Sequence, residues 1–309
     1  MYIGVDIGGT KCAVVAGDEN LCIINKVQFP STDLESTLSR IVTEIEKMPP
    51  SDAIGISCGG PLDEEKGIIM SPPNLPGWDN VHITEMLSER FGVPVYLRND
   101  ANACALAEWR HGAGIGTRNM IFLTFGTGLG AGLILNGRLY SGTNGNAGEV
   151  GHIRLADDGP EGYGKAGSFE GFCSGGGIAE LGKRLAIEKL RSGQSPAFAA
   201  DEKSVDLITT KLLAEFAKGG DKDAIAVFDH SARMLGLGLS ILIDILNPEL
   251  IVIGSVFARS EDLFIKNMND AIMNEALDAG RSVCKILPSS LGESIGDVAA
   301  LTVAMEGKI

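Results

Sequence analysis

Several absences narrow the reading of this 309-residue chain before any motif does. Its six cysteines (Cys12, Cys22, Cys58, Cys104, Cys173, Cys284) include no CxxC pair, so in a chain of this size they read as reduced, small apolar residues. No uninterrupted apolar run reaches about 18 residues, and no basic N-terminal region leads into an apolar stretch and cleavage site, which argues against a spanning segment or a secretory leader. A cytoplasmic location is expected. Cations are scarce, 26 Lys and Arg against 40 Asp and Glu, a formal charge of −14 that speaks against non-specific nucleic-acid binding. The length exceeds what one hydrophobic core usually spans, so two lobes are expected.

Glycine is plentiful instead, and it is concentrated in two places that say most about the chain. Tyr2-Ile3-Gly4-Val5-Asp6-Ile7 runs as a short apolar strand into Gly8-Gly9-Thr10-Lys11 and resumes at Cys12-Ala13-Val14-Val15. Ile121-Phe122-Leu123-Thr124-Phe125 likewise breaks into Gly126-Thr127-Gly128-Leu129-Gly130-Ala131-Gly132 before another strand. In each loop, backbone N–H groups can point at one anion without Cβ obstruction, and two such loops suggest a clamp on a polyphosphate. An ordinary Gly-Gly hairpin is the alternative reading of the first segment alone. Neither is a Walker loop or a Rossmann fingerprint, because a strand rather than a helix follows the glycines. Asp6 is costly to bury unpaired and is expected to face a polar cleft, where it could hold Mg2+ or its waters.

Between the loops, Val95-Tyr96-Leu97-Arg98-Asn99-Asp100-Ala101-Asn102-Ala103 reads as a strand entering a helix. Asp100 there is either an N-cap carboxylate or a general base that takes a proton from an attacking alcohol, with Asn99 holding a neighbouring hydroxyl.

Together, DIGGTK (Asp6–Lys11), NDANA (Asn99–Ala103), FGTGLGAG (Phe125–Gly132) and ExGH (Glu149–His152) resemble the ROK family of sugar kinases and repressors, in motif order and over nearly the whole chain. The resemblance implies an α/β, two-lobed, actin-like ATPase (ribonuclease H-like) fold with mixed sheets flanked by helices. It implies a transferase that uses ATP and Mg2+ to phosphorylate a hexose, usually on the 6-hydroxyl, glucose being favoured over mannose, fructose, allose, N-acetylglucosamine or N-acetylmannosamine. It assigns Asp100 as the base; Gly60, Asn74, Asn99, Glu149, His152 and Glu170 to the sugar; and Asp6, Gly8, Gly9, Thr10, Lys11, Gly126, Thr127, Gly128, Gly254 and Ser255 to the nucleotide and its metal. A homodimer is favoured on family grounds.

The chain departs from that pattern in one loop. Where many ROK proteins carry the zinc motif CxCGxxGC, this chain has Glu161-Gly162-Tyr163-Gly164-Lys165-Ala166-Gly167-Ser168, so three thiolate ligands are missing and no structural zinc is expected. Among ROK proteins the repressors carry an N-terminal helix-turn-helix. Here the first phosphate loop begins at Gly4, so a DNA-binding module is not expected. A catalytically silent sugar-binding or regulatory protein remains a separate reading.

Periodicity gives the coarse organisation. Leu34, Leu38, Ile41, Val42 and Ile45 form one helix face stopped by Pro49-Pro50, and Ala53–Ser57 is a buried strand. Ser71-Pro72-Pro73-Asn74-Leu75-Pro76-Gly77-Trp78 reads as a surface loop bearing an aromatic. Ala224–Leu246 reads as a buried helix whose glycines, Gly236 and Gly238, indicate close packing, with Asn247-Pro248 as its stop. Leu250–Ser255 reads as a strand leading to a glycine turn. The expected lobes are 1–116 plus 296–309 and 117–295.

Overall fold

The computed structural model describes residues 1–307. In chain order the elements are β1 (Tyr2–Ile7), β2 (Lys11–Gly17), β3 (Ile23–Pro30), α1 (Leu34–Glu46), β4 (Ala53–Cys58), β5 (Leu62–Asp63), β6 (Ile68–Ile69), α2 (Ile83–Phe91), β7 (Val95–Asn99), α3 (Asp100–His111), β8 (Met120–Phe125), β9 (Leu129–Leu135) and β10 (Arg138–Leu139). Then come β11 (Glu161–Gly162), β12 (Lys165–Ala166), α4 (Phe169–Phe172), α5 (Gly175–Arg191), α6 (Glu202–Val205), α7 (Thr210–Lys218), α8 (Lys222–Leu246), β13 (Leu250–Ile253), α9 (Ser255–Glu275), α10 (Asp278–Arg281), β14 (Lys285–Pro288) and α11 (Ile295–Glu306). Two compact units divide the chain: Met1–Arg118 with Gly132–Ala147 and Ser290 onward, and Asn119–Ala131 with Gly148–Ser289.

The first unit is built on a sheet ordered β3-β2-β1-β4-β7. β1 and β2 form the expected hairpin, while β1, β4 and β7 run parallel. Every residue of β4 is buried, as a central strand covered on both faces requires. One covering layer is α11, whose Ala300 and Ala304 lie so close to the sheet that a Cβ on Gly55 would strike the helix backbone. α1 packs through Ile41 and Ile45, is capped by Asp33, and ends before the two prolines. Trp78 departs from the expectation of a surface aromatic. The loop is exposed at Asn74 and Pro76, but the indole folds under it and is fully buried, because the prolines leave Leu75 and Trp78 as the apolar contacts that hold the segment to the core.

The segment 132–147, expected in the second lobe, belongs to the first unit. Gly132 lets β9 lie against the α3 backbone at Ala101, and the Asn136-Gly137 turn, both residues at positive φ, donates from Gly137 to the Arg118 carbonyl at 2.7 Å.

In the second unit β8, β13 and β14 pair in parallel. The strand after Leu250 stops at Ile253, and Ser255 already begins α9. α8 is long and apolar enough to cross a membrane by length and composition, yet most of it is buried against neighbouring helices. Its Gly236 admits the α9 backbone at Met268, Gly238 faces the Phe169 ring, and Phe264 of α9 makes edge contacts with Phe125 and Phe228 at 5.5 and 5.4 Å between ring centroids. Asn247, at φ 44°, closes the helix by donating to the Ile243 carbonyl.

Candidate active site

The parallel pairing in the first unit brings separated sequence motifs to one sheet edge. Ile7, Cys58 and Asn99 are register partners across β1, β4 and β7, so the loops that follow them, Gly8–Thr10, Gly59-Gly60 and the start of α3, emerge side by side at the C-terminal ends of the strands. Open α/β sheets bind ligands at such edges.

Gly8 donates to the Lys11 carbonyl at 3.1 Å, and Ser31 donates to the Gly8 carbonyl at 2.5 Å while its own N–H bonds to Thr10. Among the described residues the next two amides, Gly9 and Thr10, have no acceptor. They are free for an anion. Asn74 lies against this loop: a Cβ on Gly9 would overlap its carbonyl oxygen.

Asp100 is the first residue of α3, and Asn99 is the cap, its Oδ1 accepting from the amides of Ala101 and Asn102 at 3.0 and 3.3 Å. Of the two roles open to Asp100, capping is thus done by its neighbour. The Asn99 amide nitrogen faces the Gly60 turn. Asp100 accepts from the Ala101 N–H at 2.8 Å and keeps a solvent-exposed side, while protein crowds its remaining sides. That loss of hydration pushes its pKa upward, against the opposing pull of the hydrogen bond from the Ala101 N–H.

Asp6 is held more tightly. Burial, then the charges of Asp100 and Asp297, push it up to about 6 against the opposing pull of Lys11 and Lys26. Lys26 of β3 forms an ion pair with Asp297 at 2.5 Å, and Gly296 backs onto the Asp6 carboxylate. Lys26 and Asp297 carried no sequence signal, since they lie 271 residues apart.

The second unit carries its own set. In the β8–β9 loop Gly126 donates to the Gly128 carbonyl, Gly130 to the Thr124 hydroxyl, and Leu129 to Glu170 Oε2 at 2.9 Å. Thr127 and Gly128 have no acceptor among the described residues, the same count of two adjacent free amides as in the first loop. Glu170, expected at the sugar, commits one oxygen to this loop and packs beside Gly151, next to His152. Glu149 and His152 are exposed at either end of a short 3-10 turn. Ser255 holds φ at 51°, costly by about 1–3 kcal/mol for a residue with a Cβ, and sits beside Gly126; Gly254 donates to the Leu123 carbonyl.

Among the described residues no group of three or more His, Cys, Asp or Glu could hold a metal ion. Asp6, at the first loop, is the carboxylate that could hold Mg2+ or its waters. In the loop 161–168, Glu161, Tyr163 and Ser168 stand where a zinc motif has its thiolates. Hydrogen bonds hold this loop: Lys165 donates to the His152 carbonyl and Arg154 to the Ala166 carbonyl, each at 2.7 Å, and buried Ser168 caps α4. A hollow of about 490 Å³ in the first unit is lined by residues that include Glu64, Tyr96 and Arg98 but neither Asp6 nor Asp100.

A family model described as ROK family matches residues 2–306. The chain is 33% identical to a glucokinase of Halalkalibacterium halodurans, with 96% of this chain and 92% of that protein covered. It is 32% identical to a xylose repressor of Caldicellulosiruptor bescii, covering 94% of this chain and 74% of the repressor. A ROK family glucokinase from Streptomyces griseus, solved in complex with glucose and AMPPNP, shares 31% identity and a TM-score of 0.82, with 99% of each chain covered.

Proposed function

This chain belongs to the ROK family, and from that premise we propose that it is an ATP-dependent kinase that transfers the γ-phosphoryl group of ATP to a hexose hydroxyl, the 6-hydroxyl of glucose. The observation that carries this reading is the placement of Asp100. Its carboxylate is solvent-accessible, upward-shifted and fixed at the first turn of α3, on the same strand edge as a loop with two free amides.

Gly9, Thr10, Thr127 and Gly128 would bind phosphate oxygens through their N–H groups, with Lys11 adding positive charge. Asn74, the Asn99 amide, Glu149, His152 and the free oxygen of Glu170 would bind sugar hydroxyls. Asp100 takes the proton from the attacking hydroxyl as its oxygen bonds to the γ-phosphorus and the bond from that phosphorus to the β–γ bridging oxygen breaks, releasing ADP, and orientation with charge stabilisation supplies most of the acceleration. Mg2+ bound with the nucleotide would be held near Asp6 and would neutralise phosphate charge. Gly254 and Ser255 would contact the nucleoside.

The likeness to a repressor favours a second reading, sugar binding without turnover. A coupled ADP-release assay with Mg-ATP against a hexose panel, run on wild type and Asp100→Asn, separates the two. Turnover with one sugar, lost in the variant, supports the kinase; sugar binding with no turnover of any hexose supports the regulator. We further propose that the protein is cytoplasmic and homodimeric, the latter to be read by sedimentation velocity.

A further inference from the structure

Glu64 took no part in any motif, and it occupies the back of the catalytic junction. The tight turn after β5 presents it: Lys66 returns its N–H to Asp63 Oδ1 at 3.0 Å and its ammonium to Oδ2 at 2.9 Å. From that turn Glu64 Oε1 accepts the backbone N–H of Asn99 at 2.8 Å and the Asn102 side-chain amide at 3.3 Å, while Oε2 accepts from Arg98 at 2.8 Å. One carboxylate therefore grips three of the five residues from Arg98 to Asn102.

A purely structural account fits poorly. Glu64 and Arg98 are 8% and 13% exposed, whereas the cations of the Lys26–Asp297 and Arg110–Glu306 pairs are 38% and 41% exposed. A pair withdrawn this far loses in hydration much of what it gains in attraction, and apolar residues of like volume would hold the fold as well. The bonds to Asn99 and Asn102 give the pair another use. Asn102 leaves its Oδ1 buried with no donor among the described residues, while its NH2 group donates to the carboxylate. The arrangement is ordered around Glu64. Because Asn99 caps α3 through Oδ1 and turns its NH2 toward Gly60, fixing its backbone fixes both that amide and the adjoining Asp100.

We propose that Glu64 is a positioning residue for sugar phosphorylation: it locks the β7–α3 junction so that the Asn99 amide and the Asp100 carboxylate meet the sugar in register. This rests on the kinase reading above. A displacement of about 1 Å at a reacting group can cost 10²-fold, so loss of the lock should lower kcat/KM for the sugar by about 10- to 100-fold.

The test compares Glu64→Leu/Arg98→Met, which leaves no unpaired buried charge, with Arg98→Met alone, using glucose and Mg-ATP. The double variant should stay folded, raise the calorimetric glucose Kd at least about fivefold and lose sugar kcat/KM, with KM for ATP within about twofold of wild type. Arg98→Met, which leaves the bonds to Asn99 and Asn102, should keep sugar kcat/KM within about threefold. Wild-type glucose Kd and kcat/KM in the double variant overturn the proposal, as does an equal loss in Arg98→Met. Asp100→Asn is run beside them: if it keeps wild-type kcat, the base assignment fails on its own, and the calorimetric Kd still decides Glu64.

Discussion

Asp6 and Asp100 share one electrostatic problem, two carboxylates raised by burial at the same strand edge, and they resolve it differently. Asp100 opens to solvent, so it can exchange a proton with a bound alcohol. Asn in its place cannot accept that proton, and Asp100→Asn should lower kcat by at least ~10² in the ADP-release assay without a matching change in KM for ATP. Asp6 is pushed from 3.8 to about 6. Between those values the folded chain binds a proton that the unfolded chain has released, so this group makes stability fall as pH rises from about 4 to 6 and adds no slope above. Asp6→Asn should therefore melt at a higher temperature than wild type at pH 7, with the gap closing toward pH 4, while phosphotransfer is lost. A gap that does not change with pH would remove Asp6 as the origin. Only part of this was legible locally: the sequence marked both carboxylates and the cost of burying Asp6, but two of the charges that act on Asp6, Asp297 raising it and Lys26 opposing, come from α11 and β3.

At the level of elements, the glycine hairpins were the easiest features to read, because a turn is decided by the few residues inside it. Asn136-Gly137, the stop at Asn247-Pro248 and the close packing at Gly236 belong to the same group. Gly9 shows where a local reading ends. Its backbone φ suits any residue, and the constraint is the Asn74 carbonyl of a loop more than sixty positions away. Gly9→Ala should cost about 1–3 kcal/mol in urea unfolding, as overpacking against backbone does, and raise KM for ATP by displacing the two free amides. Unchanged values for both would mean the Asn74 loop yields without consequence. Trp78 and Glu64 were misread or missed for one reason. A proline-rich loop and a run of Asp-Glu-Glu-Lys both look solvated in sequence, and only their packing partners show that one indole and one carboxylate turn inward.

Across the whole molecule, the departure at 161–168 bears on stability. Arg154, Lys165 and Ser168 hold by hydrogen bonds a loop that metal thiolates hold in many ROK proteins. Purified protein should contain well below one equivalent of zinc by elemental analysis, and EDTA should leave its melting temperature unchanged. A stoichiometric zinc content, or a drop in melting temperature with chelator, would show another ligand set at work. The units themselves are discontinuous: the C-terminal helix α11 packs on β1 and β4, and 132–147 rejoins the first unit. By itself the sequence determined the strands that flank the glycine loops, the hairpins, the two glycine-rich loops, the family pattern and the missing thiolates, since each is written within a few consecutive residues. Only the tertiary structure decided which carboxylate is raised, which amides stay free, what Glu170 touches and what holds the Asn99–Asp100 junction. Charge interaction and hydrogen bonding depend on distance in space, and here the partners are separated by 34 to 271 positions along the chain.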